Sequence, residues 1–210
     1  MIRIYLLCVS LSLVACTTKD KGTREVTLTD SAESSTSRLV PEPDIIERLR
    51  AQKATIEEYQ GNHEESISFF VRLKDNEAPV AISPDEMPEM YKEMYSVLKD
   101  STGNTLLVSQ NPFSESGDWF ITLTHYFDKQ EKTFVTQRQT NFFNSICTEG
   151  MAYETQTDFY SGDLQIITKD YRLADSNNNE LQKDSCQLAY NFAMKTFANA
   201  AEFKKVNQLP

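Results

Sequence analysis

Glycine is scarce in this chain, six residues in 210, and histidine scarcer still at two. So few glycines leave no glycine-rich loop to cradle a nucleotide's phosphates. His63 and His125 alone do not build a histidine-rich zinc centre. His63-Glu64-Glu65-Ser66-Ile67 opens like a zinc-protease helix, but Ile67 stands where the second ligand belongs. No G-x-S-x-G nucleophile motif occurs. Basic residues are outnumbered 21 to 31, a formal charge of −10. With no basic stripe to neutralise phosphates, nucleic acid is not an expected partner. The apolar start, Ile4 to Ala15, is too short for a bilayer-spanning helix, which needs about 20 residues.

That start is nevertheless informative. Arg3 gives a positive charge, an apolar stretch of signal-peptide size follows, and small residues close it. Leu13-Val14-Ala15-Cys16 then gives way to Thr17-Thr18-Lys19-Asp20. This tail resembles the lipobox of bacterial lipoproteins. The resemblance covers residues 1–16 only and implies that Cys16 receives a diacylglyceryl group, that residues 1–15 are cut away and that the new amino group is acylated. Several acyl chains make a stable anchor where one alone binds only marginally. By the same resemblance, a residue other than Asp at position 17 implies the outer membrane. The expected location is thus the bacterial cell envelope, with the membrane as partner through the anchor and an envelope protein or glycan as a further partner.

The anchor changes the cysteine count. Of four cysteines, Cys8 leaves with the leader and Cys16 carries lipid, so Cys147 and Cys186 remain. In a compartment that permits disulfides they are expected to bond.

Residues 16–43 read as a lipidated cysteine and a flexible tether: rich in Ser, Thr and charge, too poor in apolar residues to repay ordering entropy. A coil of that length has an end-to-end distance of roughly 30 Å. A single globular domain is expected over 44–200, with a loose tail at 201–210. Asp44 and Glu47 have capping-box spacing, and Ile45, Leu49, Ile56 and Tyr59 share one face, so 44–61 predicts a helix stopped by Gly61. ISFFVRL, 67–73, predicts a strand. Ser83, Pro84 and Glu86 look like a helix start, and Met87, Met90, Tyr91, Met94, Tyr95 and Leu98 form a helical stripe, so 83–100 predicts a second helix. From Asn104 the period becomes two, with strands at NTLLVS, 118–128, 132–147, 152–160 and 164–174 joined by short turns. The segment from Cys186 is ambiguous. Its alanines suit a helix, but Leu188, Tyr190, Phe192 and Met194 alternate with polar or small residues and favour a strand through about Thr196.

The expected fold is therefore α+β: a curved antiparallel meander of about five to six strands covered by one or two helices, with a small closed β-barrel as the alternative. In a plain meander, Cys147 and Cys186 stand three strand spacings apart, ~14 Å, while bridged Cα atoms lie within ~7 Å. Either the sheet curls strongly, the last strand inserts beside 132–147, or the loop 175–185 reaches back. Strong curvature or a reordered strand is favoured.

Three further constellations bear on chemistry. Asp175, Asn177 and Asn179 begin like a calcium loop but lack the glycine and the later glutamate, which favours an Asn/Asp turn. Met87, Met90 and Met94, with His125, carry soft ligands for copper(I), but methionines at helical spacing more often fill a core. Trp119, Tyr126, Tyr153, Tyr160 and Tyr171 fall on strands and could stack on a sugar if exposed in a row; core filling is favoured. No catalytic residue, cofactor or metal is assigned. The reading is a non-catalytic binding or accessory lipoprotein of the envelope, with a hydrolase using carboxylates brought together by folding as the alternative.

Overall fold

The computed structural model describes residues 44–143, 145–187 and 192–210. Helix α1 spans Ile45–Asn62, where the periodicity places it. Asp44 makes no side-chain capping bond, so the capping box does not form. The C-terminal end is closed by His63, whose Nδ1 lies 3.0 Å from the Tyr59 carbonyl and whose ring stacks on Tyr59 at 4.0 Å. His63 thus caps the helix.

The rest is one open antiparallel sheet of eight strands in the order β2-β1-β3-β4-β5-β6-β7-β8. The strands are β1 Ile67–Arg72, β2 Val80–Ile82, β3 Glu93–Lys99, β4 Thr105–Pro112, β5 Trp119–Phe127, β6 Thr133–Phe142, β7 Ala152–Tyr160 and β8 Ile166–Asp175. The α+β class stands, with more strands than expected and no closure into a barrel: β2 and β8 are the outermost strands.

The helix expected at 83–100 is a correction. Only Pro84–Glu86 form a single 3-10 turn, and Ser83 does not cap it. Pro88 lacks the N–H that would continue that turn as an α-helix. Beyond it, Tyr95 and Val97 alternate with Met94, Ser96 and Leu98, and the segment pairs on both sides, with β1 and with β4. Two ladders outweigh a helical stripe of modest propensity.

Four hairpin turns share one device. Asp100, Asp128, Ser161 and Asp175 each bond through backbone N–H to the residue four on, and through their carbonyl to the N–H three on. Each side-chain oxygen also accepts the N–H of the residue four on, and in the three aspartates the N–H two on. The fourth position of each turn has positive φ: Gly103, Glu131, Leu164 and Asn178. This is a type I turn with an αL residue at the bulge. With glycine scarce, only one of the four positions has it. Asp175, Asn177 and Asn179 therefore build a turn, with the Asp175 carboxylate spent on its own backbone and held below its usual range by bonds from Asn179 and Asn177.

The register places Ile67, Leu98, Leu107, Tyr126, Val135 and Phe159 in one row across the sheet. Leu49, Ile56 and Tyr59 of α1 pack on that row. The opposite face carries Tyr95, Val97, Val108, Leu123 and His125.

Beyond β8 the chain turns back. Leu181 N–H bonds to the Leu173 carbonyl, and Cys186 reaches Cys147, forming a disulfide with Cα atoms 4.7 Å apart. The bond is made by the returning loop; β3 to β8 keep their sequential order. The strand favoured through Thr196 is not found: Phe192–Phe197 belong to no ladder, and 188–191 lie outside the described residues. Instead this segment crosses the sheet face as a strap, because Met194 and Phe197 bury their side chains against it. The tail expected to be loose is helix α2, Ala200–Asn207. Asn199 caps it by accepting the Glu202 N–H at 2.8 Å. Phe203, fully buried among Tyr95, Val97, Val108 and Phe127, fixes it to the sheet.

Candidate functional site

The strap divides its face of the sheet into two clefts. Phe192 packs on Trp119 at 5.1 Å between ring centroids, and Met194 packs on Trp119, Ile121, Leu123 and Phe142. His125 Nε2 lies 3.0 Å from the Lys195 carbonyl, and Thr133 N–H bonds to the Ala198 carbonyl at 3.0 Å. His125 is buried among Phe127, Phe197 and Phe203. Desolvation pushes its pKa down to about 4, against a smaller opposing effect of the Lys195 carbonyl. The ring is neutral, carries its proton on Nε2 and ties strap to sheet.

On one side of the strap, over β6, β7 and β8, lies a cleft of about 420 Å³. Its floor alternates along the strands: Thr136 and Arg138 on β6, then Gln156, Asp158 and Tyr160 on β7. Arg138 Nη2 bonds to Glu154 Oε2 at 3.0 Å, and Tyr171 donates to Glu154 Oε1 at 3.1 Å. Desolvation, then the Glu154 charge, pushes the Tyr171 hydroxyl up to about 12. Asp158 pairs with Lys169 at 3.1 Å.

On the other side, a smaller cleft of about 210 Å³ lies between strap, α2 and β3–β4, and adjoins an open hollow of about 500 Å³ lined by Tyr91, Phe113 and Phe192. Glu93 stands between the two. Its Oε2 accepts from Arg72 Nε at 3.1 Å and from the Tyr95 hydroxyl, and its Oε1 from Gln110 at 2.8 Å. Arg72 also donates to the Asn207 carbonyl at 2.9 Å, which fastens the end of α2 to β1. Burial and the bond to Glu93 push the Tyr95 hydroxyl far up, so it stays a donor.

Glu93, Glu154 and Asp158 are each engaged by a cation and by a hydroxyl or amide donor. These contacts hold the three carboxylates in place on the strap face.

The remaining sequence candidates fall apart in space. Met94 is on the α1 face, His125 on the other, and Met87 and Met90 are exposed. Trp119, Tyr160 and Tyr171 share the strap face, but Tyr126 and Tyr153 lie on the reverse, so the five form no row. Tyr126 is buried under α1 and donates to Glu57 at 2.9 Å. Cys147 and Cys186 are joined, and Cys16 lies outside the described residues. Among the described residues no cluster of His, Cys, Asp or Glu could hold a metal ion, and no helix is long and apolar enough to cross a membrane.

The Arg138–Glu154 pair was not singled out from sequence, yet a signal exists. Glu154 shares strand parity with Ala152, and Arg138 with Thr140, both buried. Opposite charges at buried parity on neighbouring strands mark an internal pair.

No protein-family model matches the chain, and neither the curated proteins nor the solved structures yield a match.

Proposed function

We propose that the chain is a lipid-anchored lipoprotein of the bacterial cell envelope whose folded domain binds a ligand or partner and does not catalyse a reaction. Leu13-Val14-Ala15-Cys16 supports the anchor, and the polar tether after it lets the domain stand off the membrane. Thr17 favours the outer membrane. The observation that carries the binding reading is the strap face, where clefts are lined by ionisable groups already neutralised against one another. The hydrolase alternative requires two convergent carboxylates with separated pKa values; the carboxylates of this face are held as ion pairs instead.

Cells expressing the chain with radioactive palmitate test the anchor. Label is expected in the wild type and lost in Cys16→Ser. A wild type that takes up no label, or a variant labelled equally, would remove the reading.

A further inference from the structure

We infer that the cleft between the strap and β6–β8 is a binding site for an uncharged saccharide of one or two rings. This deepens the binding-domain reading and rests on it. The cleft's volume, about 420 Å³, lies in the ~300–1,000 Å³ range of small-ligand sites. Its charges are balanced internally: Arg138 with Glu154, and Asp158 with Lys169. An anion or cation entering would face no opposing charge in surplus, and would lose hydration without compensation.

The lining instead offers neutral and acceptor groups at close spacing. Thr136 Oγ1 and Tyr160 OH are 2.9 Å apart, and Tyr160 OH and Thr196 Oγ1 3.3 Å. Each of these hydroxyls rotates to donate or accept, and each keeps capacity beyond those contacts. Gln156 sits beside Asp158, with Nε2 and Oδ1 3.4 Å apart. A primary amide beside a carboxylate can hold vicinal hydroxyls, the amide giving and taking one bond each and the carboxylate accepting a strong one. Leu164 and Ile166 of the β7–β8 hairpin and Met194 of the strap add apolar surface to the lining, suited to the C–H faces of a pyranose ring. Hydroxyl-binding groups together with apolar surface in one lining match the mixed chemistry of a sugar.

The site is also preorganised. Four of its polar side chains stand on adjacent paired strands, with Thr136 opposite Asp158 and Arg138 opposite Gln156. Its remaining wall is the strap, held by the His125 contact and by the Thr133 N–H to Ala198 carbonyl bond. Little ordering cost falls on the binding event.

The test is a 1H–15N correlation titration of the full chain in detergent with maltose and N,N′-diacetylchitobiose, and with a glucuronate-containing and a glucosamine-containing disaccharide as charged counterparts. At least one neutral probe is expected to give saturable shifts at Thr136, Gln156, Asp158 and Leu164. Asp158→Asn is expected to weaken that binding about tenfold, the loss of one charge-assisted hydrogen bond. Asn76→Ala, in the hollow on the other side of the strap, is expected to leave it unchanged, and unaltered spectra elsewhere certify the fold of both variants. No saturable shift with either neutral disaccharide would overturn the proposal. Shifts confined to residues of the other cleft would overturn the site while leaving the binding-domain reading in place. Tighter binding of a charged disaccharide would overturn the charge argument and the proposal with it.

Discussion

Acidification should loosen this fold through His125. The ring is only 2 % exposed, and burial holds its pKa at about 4 against 6.5 for a free histidine. The sign follows from linkage: the unfolded chain takes up the proton before the folded one does, so stability rises with pH across the interval between the two values. Above about pH 7.5 the imidazole is neutral in both states and contributes no slope. Between 6.5 and 4 the stability falls, by about 2 kcal/mol at pH 5 and ~3 kcal/mol at pH 4, at 1.36 kcal/mol per unit. The groups around the ring do not offset this. Phe127, Phe197 and Phe203 are apolar, the Lys195 ammonium lies over the Phe197 ring, and Glu93, which lines the same cleft, is held by Arg72 and Gln110. The assay is urea unfolding at a series of pH values for wild type and His125→Gln, which keeps an N–H donor for the Lys195 carbonyl. The variant changes no other ionisable group, so the difference between the two curves isolates His125. It should be flat above about pH 7.5 and fall below it. Parallel curves from pH 7 to 4 would refute the placement of a neutral, desolvated ring under the strap.

Other expectations follow from the same packing. Reducing the Cys147–Cys186 bond, which closes a separation of 39 residues, should cost about 4 kcal/mol in denaturant titrations with and without reductant. Phe203→Ala should cost ~3–5 kcal/mol, because the ring is fully buried between α2 and the sheet; a loss below ~1 kcal/mol would mean that α2 is not docked. Leu164 sits at φ +62, so Leu164→Gly should raise the unfolding free energy by up to ~1 kcal/mol in the same titration. Glu154→Ala should cost ~3–5 kcal/mol, since Arg138 loses its carboxylate partner at a nearly buried site.

The legible parts of the fold were those where local pattern and tertiary environment agree. In β5, Trp119, Ile121 and Leu123 alternate because one sheet face is a core, and period two betrays it. The helix at 45–62 is legible through Leu49, Ile56 and Tyr59, although Ile45, on the expected stripe, is exposed. β3 looks helical in sequence because Met87 to Leu98 fits a helical period by chance. Its true partners, β1 and β4, are set by pairing across the chain, which a local window does not contain. Leu188 to Met194 alternate in sequence as a strand does, yet Phe192–Phe197 join no ladder and form a strap that sets Met194 and Phe197 against the sheet. The αL positions of Glu131 and Leu164 leave no mark in sequence, since neither residue favours positive φ. The site was the least legible part. Thr136, Gln156, Asp158 and Tyr160 look like ordinary strand residues until register puts them on one face and the strap walls them in.

The central claim is that a folded binding domain hangs from a lipidated cysteine. Mass measurement of the N-terminal peptide, taken from the membrane fraction of cells making the full chain, tests it most directly. The account predicts a peptide that begins at Cys16 and carries a thioether-linked diacylglyceryl group and an amide-linked acyl chain. A peptide that begins elsewhere, or an unmodified Cys16, would contradict it.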